Sequence, residues 1–282
     1  MEITKVTVLG AGTMGHGIAH AAIAGGYATR MFDVSQAAVD KGRGAIEQVV
    51  RKGVELGKLS AADADAMLGR LSATASLADA LQDADLVIEA APEKIDLKLA
   101  LFAQIEALAP PAAVIGSNTS ALSVTELAGS LKNPGRVAGM HFFNPVHKMK
   151  LVEIVQALES TPATLDVVEQ VSRRMGKETV LVRESPGFIT TRVNASIGNE
   201  AFYMLMEGVA SARDIDKALK LGLNHPMGPF ELGDLVGLDT RLSILEYLHR
   251  SMGEKYRPCP LLAQYVKAGR LGRKVGRGVY DY

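Results

Sequence analysis

Tryptophan is absent from these 282 residues, cysteine occurs once, and neither sign of charge is in excess. The single cysteine, Cys259, cannot close an intrachain disulfide, which fits a reducing compartment and a cytoplasmic location. It stands between Pro258 and Pro260 and reads as a loop residue. Lys+Arg and Asp+Glu both number 31. That balance gives no support to the broad basic surface used on nucleic acids, so no nucleic-acid partner is expected. No apolar run approaches the ~18 residues of a membrane span, so no membrane partner is expected. Met1 leads almost directly into a strand pattern, with no charged segment and apolar stretch before it, so no signal peptide is expected. What is present is 48% hydrophobic and 22% charged, ordinary for a globular chain of one large domain or two smaller ones.

The first thirty-odd residues carry a pattern with a mechanism. Val6, Val8 and Leu9 form a short apolar run. Gly10, Gly12 and Gly15 follow at G-x-G-x-x-G spacing around Thr13 and Met14, and a helix pattern runs to Ala24. A second short strand, Ala28–Phe32, ends at Asp33. Glycines in such a turn let backbone N–H groups approach a pyrophosphate at the helix N-terminus. An acid at the end of the second strand can accept hydrogen bonds from a ribose diol and repel a 2′-phosphate. Strand, glycines, helix, strand and acid in this order point to a dinucleotide site, where the glycine motif alone would be weak. His16 and His20 share i, i+4 spacing on the helix. No nearby ligand-type residue completes a metal set, so they read as helix surface or packing, and no metal is expected.

After Asp33 the pattern gives two helices over about residues 36–70, broken near Gly57–Ser60, with Ser60 as N-cap. This exceeds what a simple crossover needs and predicts a helical hairpin projecting from the sheet. Arg51, Lys52 and Lys58 cluster near its tip; they form either a solvated face or a grip on an anionic handle such as a nucleotide phosphate. Strands resume at Leu86–Glu89 and Val114–Gly116, with a helix from about Glu93 to Leu108 between them. Alternating strands and helices predict a doubly wound parallel sheet of Rossmann type. "GSNTSALS" (116–123) then sets Ser117, Asn118, Thr119 and Ser120 at the carboxyl end of a strand, more polar groups than one helix cap requires.

"HFFNPVHKMKLVEI" (141–154) places two histidines, an Asn144-Pro145 turn and one glutamate close together. The strand ending at His141 and the strand 150–155 can bring His141 and Glu153 face to face. A carboxylate on one imidazole nitrogen fixes the tautomer and leaves the other nitrogen as a base. His147 reads as a local hydrogen-bonding or surface residue. Strand patterns stop at "ESPGF" (184–188), and helices fill the rest. The division expected is residues 1–184 for nucleotide binding and 187–282 for an all-helical domain that covers the substrate and dimerises. Ile189, Val193, Ile197, Ala201 and Met204 predict one apolar stripe on its first helix.

Taken together, "GAGTMG", "SNTS", "HFFNPV", "KLVEI", "PGF", "LGLNHPMGPFELGDLVGLDT" and "GRKVGRGVYDY" make the chain resemble the L-3-hydroxyacyl-CoA dehydrogenases, most of all the bacterial 3-hydroxybutyryl-CoA members. The likeness covers essentially the whole chain. It implies NAD as cofactor and a short acyl-CoA substrate; the homodimer is expected from the apolar faces of the helical domain. It further implies that His141 is the base, that Glu153 orients it and that Ser120 contacts the substrate oxygen. Asp33 would bind the adenosine ribose. Glu93, Lys98, Ser120, Asn144 and Lys274 match further NAD-contacting positions. The CoA handle would lie along the hairpin near Lys52 and Lys58. Many family members carry "GF-V-N-R" where this chain has "GFITTR", so Thr191 stands at the substrate-contacting asparagine, with Asn194 as a rival donor. Two alternatives remain: another hydroxy-acid dehydrogenase on the same fold, and a non-catalytic NAD-binding relative.

Overall fold

The computed structural model describes residues 2–282. The fold follows from short apolar segments that end in glycine or a polar residue. In chain order the first unit contains β1 (Lys5–Leu9), α1 (Thr13–Ala24), β2 (Ala28–Phe32), α2 (Gln36–Glu55), α3 (Ala61–Leu68), β3 (Leu71–Thr74) and α4 (Leu77–Leu81). It continues with β4 (Leu86–Glu89), α5 (Ile95–Leu108), β5 (Val114–Ser117), α6 (Val124–Gly129), β6 (Val137–Phe142), β7 (Leu151–Gln156), α7 (Pro162–Arg174) and β8 (Glu178–Arg183). The eight strands form one sheet in the order β3-β2-β1-β4-β5-β6-β7-β8. The chain order reverses between β1 and β4, and in open sheets ligands bind at the carboxyl ends of the strands at that point.

All neighbouring strands run parallel except β6 and β7, which are antiparallel. The connection between them is short, whereas a parallel crossover needs a dozen residues or more. The reversal sets His141 directly opposite Glu153 in the register. β4 is buried at all four positions, as befits a strand covered on both faces. β3 has no counterpart among the expected strands. Its "LSAT" is an edge segment paired with β2 and only partly buried, so its apolar signal is weak.

The α2–α3 hairpin forms as the sequence predicts, and Ser60 Oγ accepts from the Asp63 N–H at 3.0 Å. α2 does not stand clear of the sheet, however. Val39, Ile46 and Val50 are buried, and Ile46 and Val50 share one core with Val8, Ile18 and Met31.

Backbone contacts divide the chain between Glu184 and Ser185. The second unit is helical: α8 (Thr190–Met206), α9 (Ala212–Gly222), α10 (Pro229–Val236), α11 (Leu238–Met252) and α12 (Pro260–Lys267). Its core joins Phe202, Phe230, Leu238, Leu245, Leu248 and Leu262. The apolar stripe expected on α8 packs at Ala201 and Met204 but not at its start. Ile189 and Val193 are 49% and 54% exposed, while Ala195, Asn199, Ala201 and Phe202 are buried. Asn199 can be buried because its amide is satisfied: Nδ2 donates to the Arg257 carbonyl at 2.9 Å, and Oδ1 accepts from the Cys259 N–H at 2.8 Å.

Among the described residues no helix is long and apolar enough to cross a membrane.

Candidate active site

The turn between β1 and α1 is built for close backbone approach. Gly10 has φ +110°, and a Cβ there would meet the Ala90 carbonyl oxygen at 2.7 Å. A Cβ on Gly15 would fall on the Gly10 carbonyl oxygen, whereas the space beside Gly12 is open. α1 has no side-chain cap and no acid in its first turn, so its leading N–H groups are left for an anion. Asp33 Oδ2 accepts from the Ala11 N–H at 2.9 Å, which fixes the carboxylate beside the turn.

Behind the turn lies a charged network of Glu89, Lys98 and Glu93. Glu89 and Lys98 are both fully buried. Lys98 Nζ lies 2.6 Å from Glu89 Oε1, which also accepts from the Ala91 N–H at 2.6 Å. Glu89 Oε2 accepts from Ser117 Oγ at 2.6 Å. Lys98 Nζ is also 3.6 Å from Glu93 Oε2. The other oxygen of Glu93 accepts from Thr119 Oγ1 at 2.6 Å and from the Ser120 N–H at 2.8 Å. The expected Glu93 and Lys98 thus meet directly, and Glu89, not among the expected site residues, is the closer partner of Lys98. A lone glutamate closing the apolar run "LVIE" and a lone lysine in "DLKLALF" were the available signals.

The polar cluster after β5 divides its work. Ser117 serves Glu89 and Thr119 serves Glu93. Asn118 Oδ1 accepts from the Phe142 N–H at 2.9 Å, tying this loop to β6. The helix cap is Ser123, which accepts from the Glu126 N–H at 3.0 Å. That leaves the Ser120 hydroxyl without a protein partner among the described residues, in a half-buried position.

At the end of β6, His141 Nδ1 lies 2.7 Å from Glu153 Oε2. Glu153 is fully buried and His141 is 4% exposed. The His141 ring also meets the Phe143 ring at 4.5 Å between centroids. Asn144 is exposed on the loop that follows. Lys177 Nζ secures this loop from behind, donating to the carbonyls of Val146 and Met149 at 2.5 and 2.9 Å.

Lys52 and Lys58 line a cavity of about 570 Å³ that also includes His20, His147, Val50 and Leu59. In the second unit, Thr191 and Asn194 lie on the first turns of α8, both half-buried. Lys274 Nζ is 2.6 Å from both carboxylate oxygens of Asp239. Among the described residues no group of three or more His, Cys, Asp or Glu could hold a metal ion, and that includes His16 and His20.

The open sheet, the glycine turn at its switch point and the acid ending β2 define a dinucleotide-binding protein. Residues 5–185 match the family model "3-hydroxyacyl-CoA dehydrogenase, NAD binding domain", and residues 187–282 match "3-hydroxyacyl-CoA dehydrogenase, C-terminal domain". The chain is 45% identical to a probable 3-hydroxybutyryl-CoA dehydrogenase of Bacillus subtilis, over 100% of this chain and 98% of that one. It is 43% identical to a 3-hydroxybutyryl-CoA dehydrogenase of Bradyrhizobium diazoefficiens, covering 99% and 96%. A crystal structure of (S)-3-hydroxybutyryl-CoA dehydrogenase from Ralstonia eutropha superposes with a TM-score of 0.96 at 43% identity, covering 100% and 99%. The chain belongs to the 3-hydroxyacyl-CoA dehydrogenase family, and NAD is its cofactor.

Proposed function

We propose that the protein oxidises the 3-hydroxyl of a short-chain L-3-hydroxyacyl-CoA, 3-hydroxybutyryl-CoA above all, and runs the reverse reduction. The observation that carries this reading is the buried His141–Glu153 contact of 2.7 Å, set at the end of a central strand in a dinucleotide-binding sheet. Bound NAD supplies the acceptor for the hydride that leaves C3. His141 takes the hydroxyl proton in oxidation and returns it in reduction, while Glu153 orients the ring through Nδ1. Ser120 offers its hydroxyl to the same substrate oxygen. Initial rates across 3-ketoacyl-CoA substrates of increasing chain length test the substrate assignment. kcat/KM should be highest with acetoacetyl-CoA, and a clear maximum at a long chain would reject the short-chain reading.

For the cofactor, the N–H groups of Thr13, Met14 and Gly15 face the pyrophosphate, and Asp33 takes the adenosine ribose. No arginine follows Asp33; Val34 and Ser35 do. NADH should therefore exceed NADPH clearly in kcat/KM, and equal values would contradict the role given to Asp33. Glu93, Asn144 and Lys274 complete the cofactor contacts. Lys98, fully buried, contributes by holding Glu93.

Thr191 donates a hydrogen bond to the substrate in place of the family asparagine. Losing such a bond costs on the order of 1–3 kcal/mol, or about 5- to 150-fold in rate. Thr191→Val should lower kcat/KM for acetoacetyl-CoA within that range, with Asn194→Ala costing less. A silent Thr191→Val beside a crippled Asn194→Ala would move the role to Asn194.

The second unit dimerises through its exposed apolar side chains. Ile189, Val193, Met206, Val209, Leu221 and Leu223 are all exposed, more than scattered surface residues require. Light scattering at micromolar protein should give twice the chain mass, and a stable monomer would contradict it. The enzyme works in the cytoplasm, in keeping with its single reduced cysteine.

A further inference from the structure

The cavity beside the hairpin holds histidines as well as lysines. His20 enters from α1 and His147 from the loop after β6, with ring centroids 6.3 Å apart and planes 74° apart. His20 Nδ1 is buried with no hydrogen-bond partner among the described residues. The charged and titratable groups around the pair are nearly all basic. His16 lies one turn earlier on α1, Lys148 adjoins His147, and Lys177 is held against the Val146 and Met149 carbonyls. From the hairpin come Lys52 and Lys58. The acids there are already engaged: Glu55 lies 2.8 Å from Lys52, and Asp65 lies 2.8 Å from Arg51. The walls between are apolar, with Val49, Val50, Leu59 and Met67. Apolar walls with convergent cations suit a nucleotide, whose base is flat and whose phosphates are anionic.

The geometry points to His147, backed by His20, as a proton-accepting subsite for a phosphate of the acyl-CoA nucleotide, so that substrate binding takes up a proton. The inference rests on the acyl-CoA reading above and adds to it the residues that recognise the handle and a pH dependence.

The free cavity disfavours a charged imidazole. Burial first, then His147, Lys177 and His16, push the His20 pKa down to about 4. Burial, then Lys148, Lys177 and His16, lower that of His147. An entering phosphate reverses the local field and raises proton affinity. A group whose pKa rises on binding strengthens the complex at low pH, and the gain is lost as pH climbs through the bound-state pKa. His147 is the half of the pair suited to substitution, because it is exposed.

The test measures kcat/KM for acetoacetyl-CoA, its 3′-dephospho analogue and acetoacetyl-pantetheine, at about pH 6.5 and about pH 8.5, above the second phosphate ionisation near pH 6. The readout is the preference for the CoA thioester over the pantetheine thioester, in wild type and His147→Asn. The wild-type preference should fall by about 5- to 10-fold between the two pH values, the scale of a solvent-screened hydrogen bond to a charged group. His147→Asn should lower it to a similar extent at the lower pH and flatten its pH dependence. The dephospho analogue identifies the phosphate. Loss of the pH effect with it assigns the 3′-phosphate, and retention assigns the diphosphate. The same pH dependence in both proteins, or an equal loss on the pantetheine thioester, would overturn the inference while leaving the dehydrogenase reading intact. No turnover of acetoacetyl-CoA by wild type would overturn both.

Discussion

Replacing His141 by alanine should lower kcat for acetoacetyl-CoA reduction by ~10²–10⁴-fold, the range of a positioned general acid or base, while NADH affinity stays near wild type. The separation follows from placement. His141 lies next to last in β6 and meets Glu153, whereas the glycine turn joins β1 to α1 and Asp33 follows β2. Glu153→Gln should also be severely slow, because the amide keeps the shape of the carboxylate but gives Nδ1 no charged partner. Steady-state kinetics and NADH fluorescence titration on the same preparations make the comparison. Activity within a few-fold of wild type in His141→Ala would remove His141 from the chemistry.

The second large effect is on stability. Lys98→Met takes the counter-charge from the buried Glu89 carboxylate, and breaking a buried pair from one side costs about 3–5 kcal/mol. Adding Glu89→Gln should recover most of the loss. The glutamine oxygen can still accept from the Ala91 N–H, and its amide nitrogen can face Ser117 Oγ, so no charge remains buried. Urea unfolding of the single and double variants measures both. A cost below about 1 kcal/mol for Lys98→Met, the scale of an exposed pair, would contradict the account of this network. The single variant should also raise the KM for NADH, since Lys98 stands beside Glu93.

Much of this molecule is legible in its sequence where one element meets one strong physical demand. β1 and β4 are legible because each is a short, largely apolar run ended by glycine or an acid, and β2 because it follows the glycine motif and its helix and leads to Asp33. The hairpin read clearly because Ser60 is a good cap. Elsewhere tertiary context decides. "LSAT" became β3 only because β2 offered it an edge. On α8 the regular apolar row is exposed at Ile189 and Val193, and the packed face includes Asn199, made buriable by Arg257 and Cys259 from far along the chain. In the site, the His141–Glu153 juxtaposition could be argued from strands and a short connection. Glu89 could not be placed the same way, because its partners Lys98 and Ser117 lie on separate elements. The pairing of His20 with His147 needed α1 and the β6–β7 loop to meet, and no spacing in the sequence reports that.

The most direct test of the central claim is the initial rate of NADH oxidation by the purified wild-type protein with acetoacetyl-CoA, together with the configuration of the product. The account predicts saturable, stoichiometric NADH consumption that yields the L isomer of 3-hydroxybutyryl-CoA. A protein that binds NADH but consumes none with acetoacetyl-CoA, or that yields the opposite isomer, would contradict it.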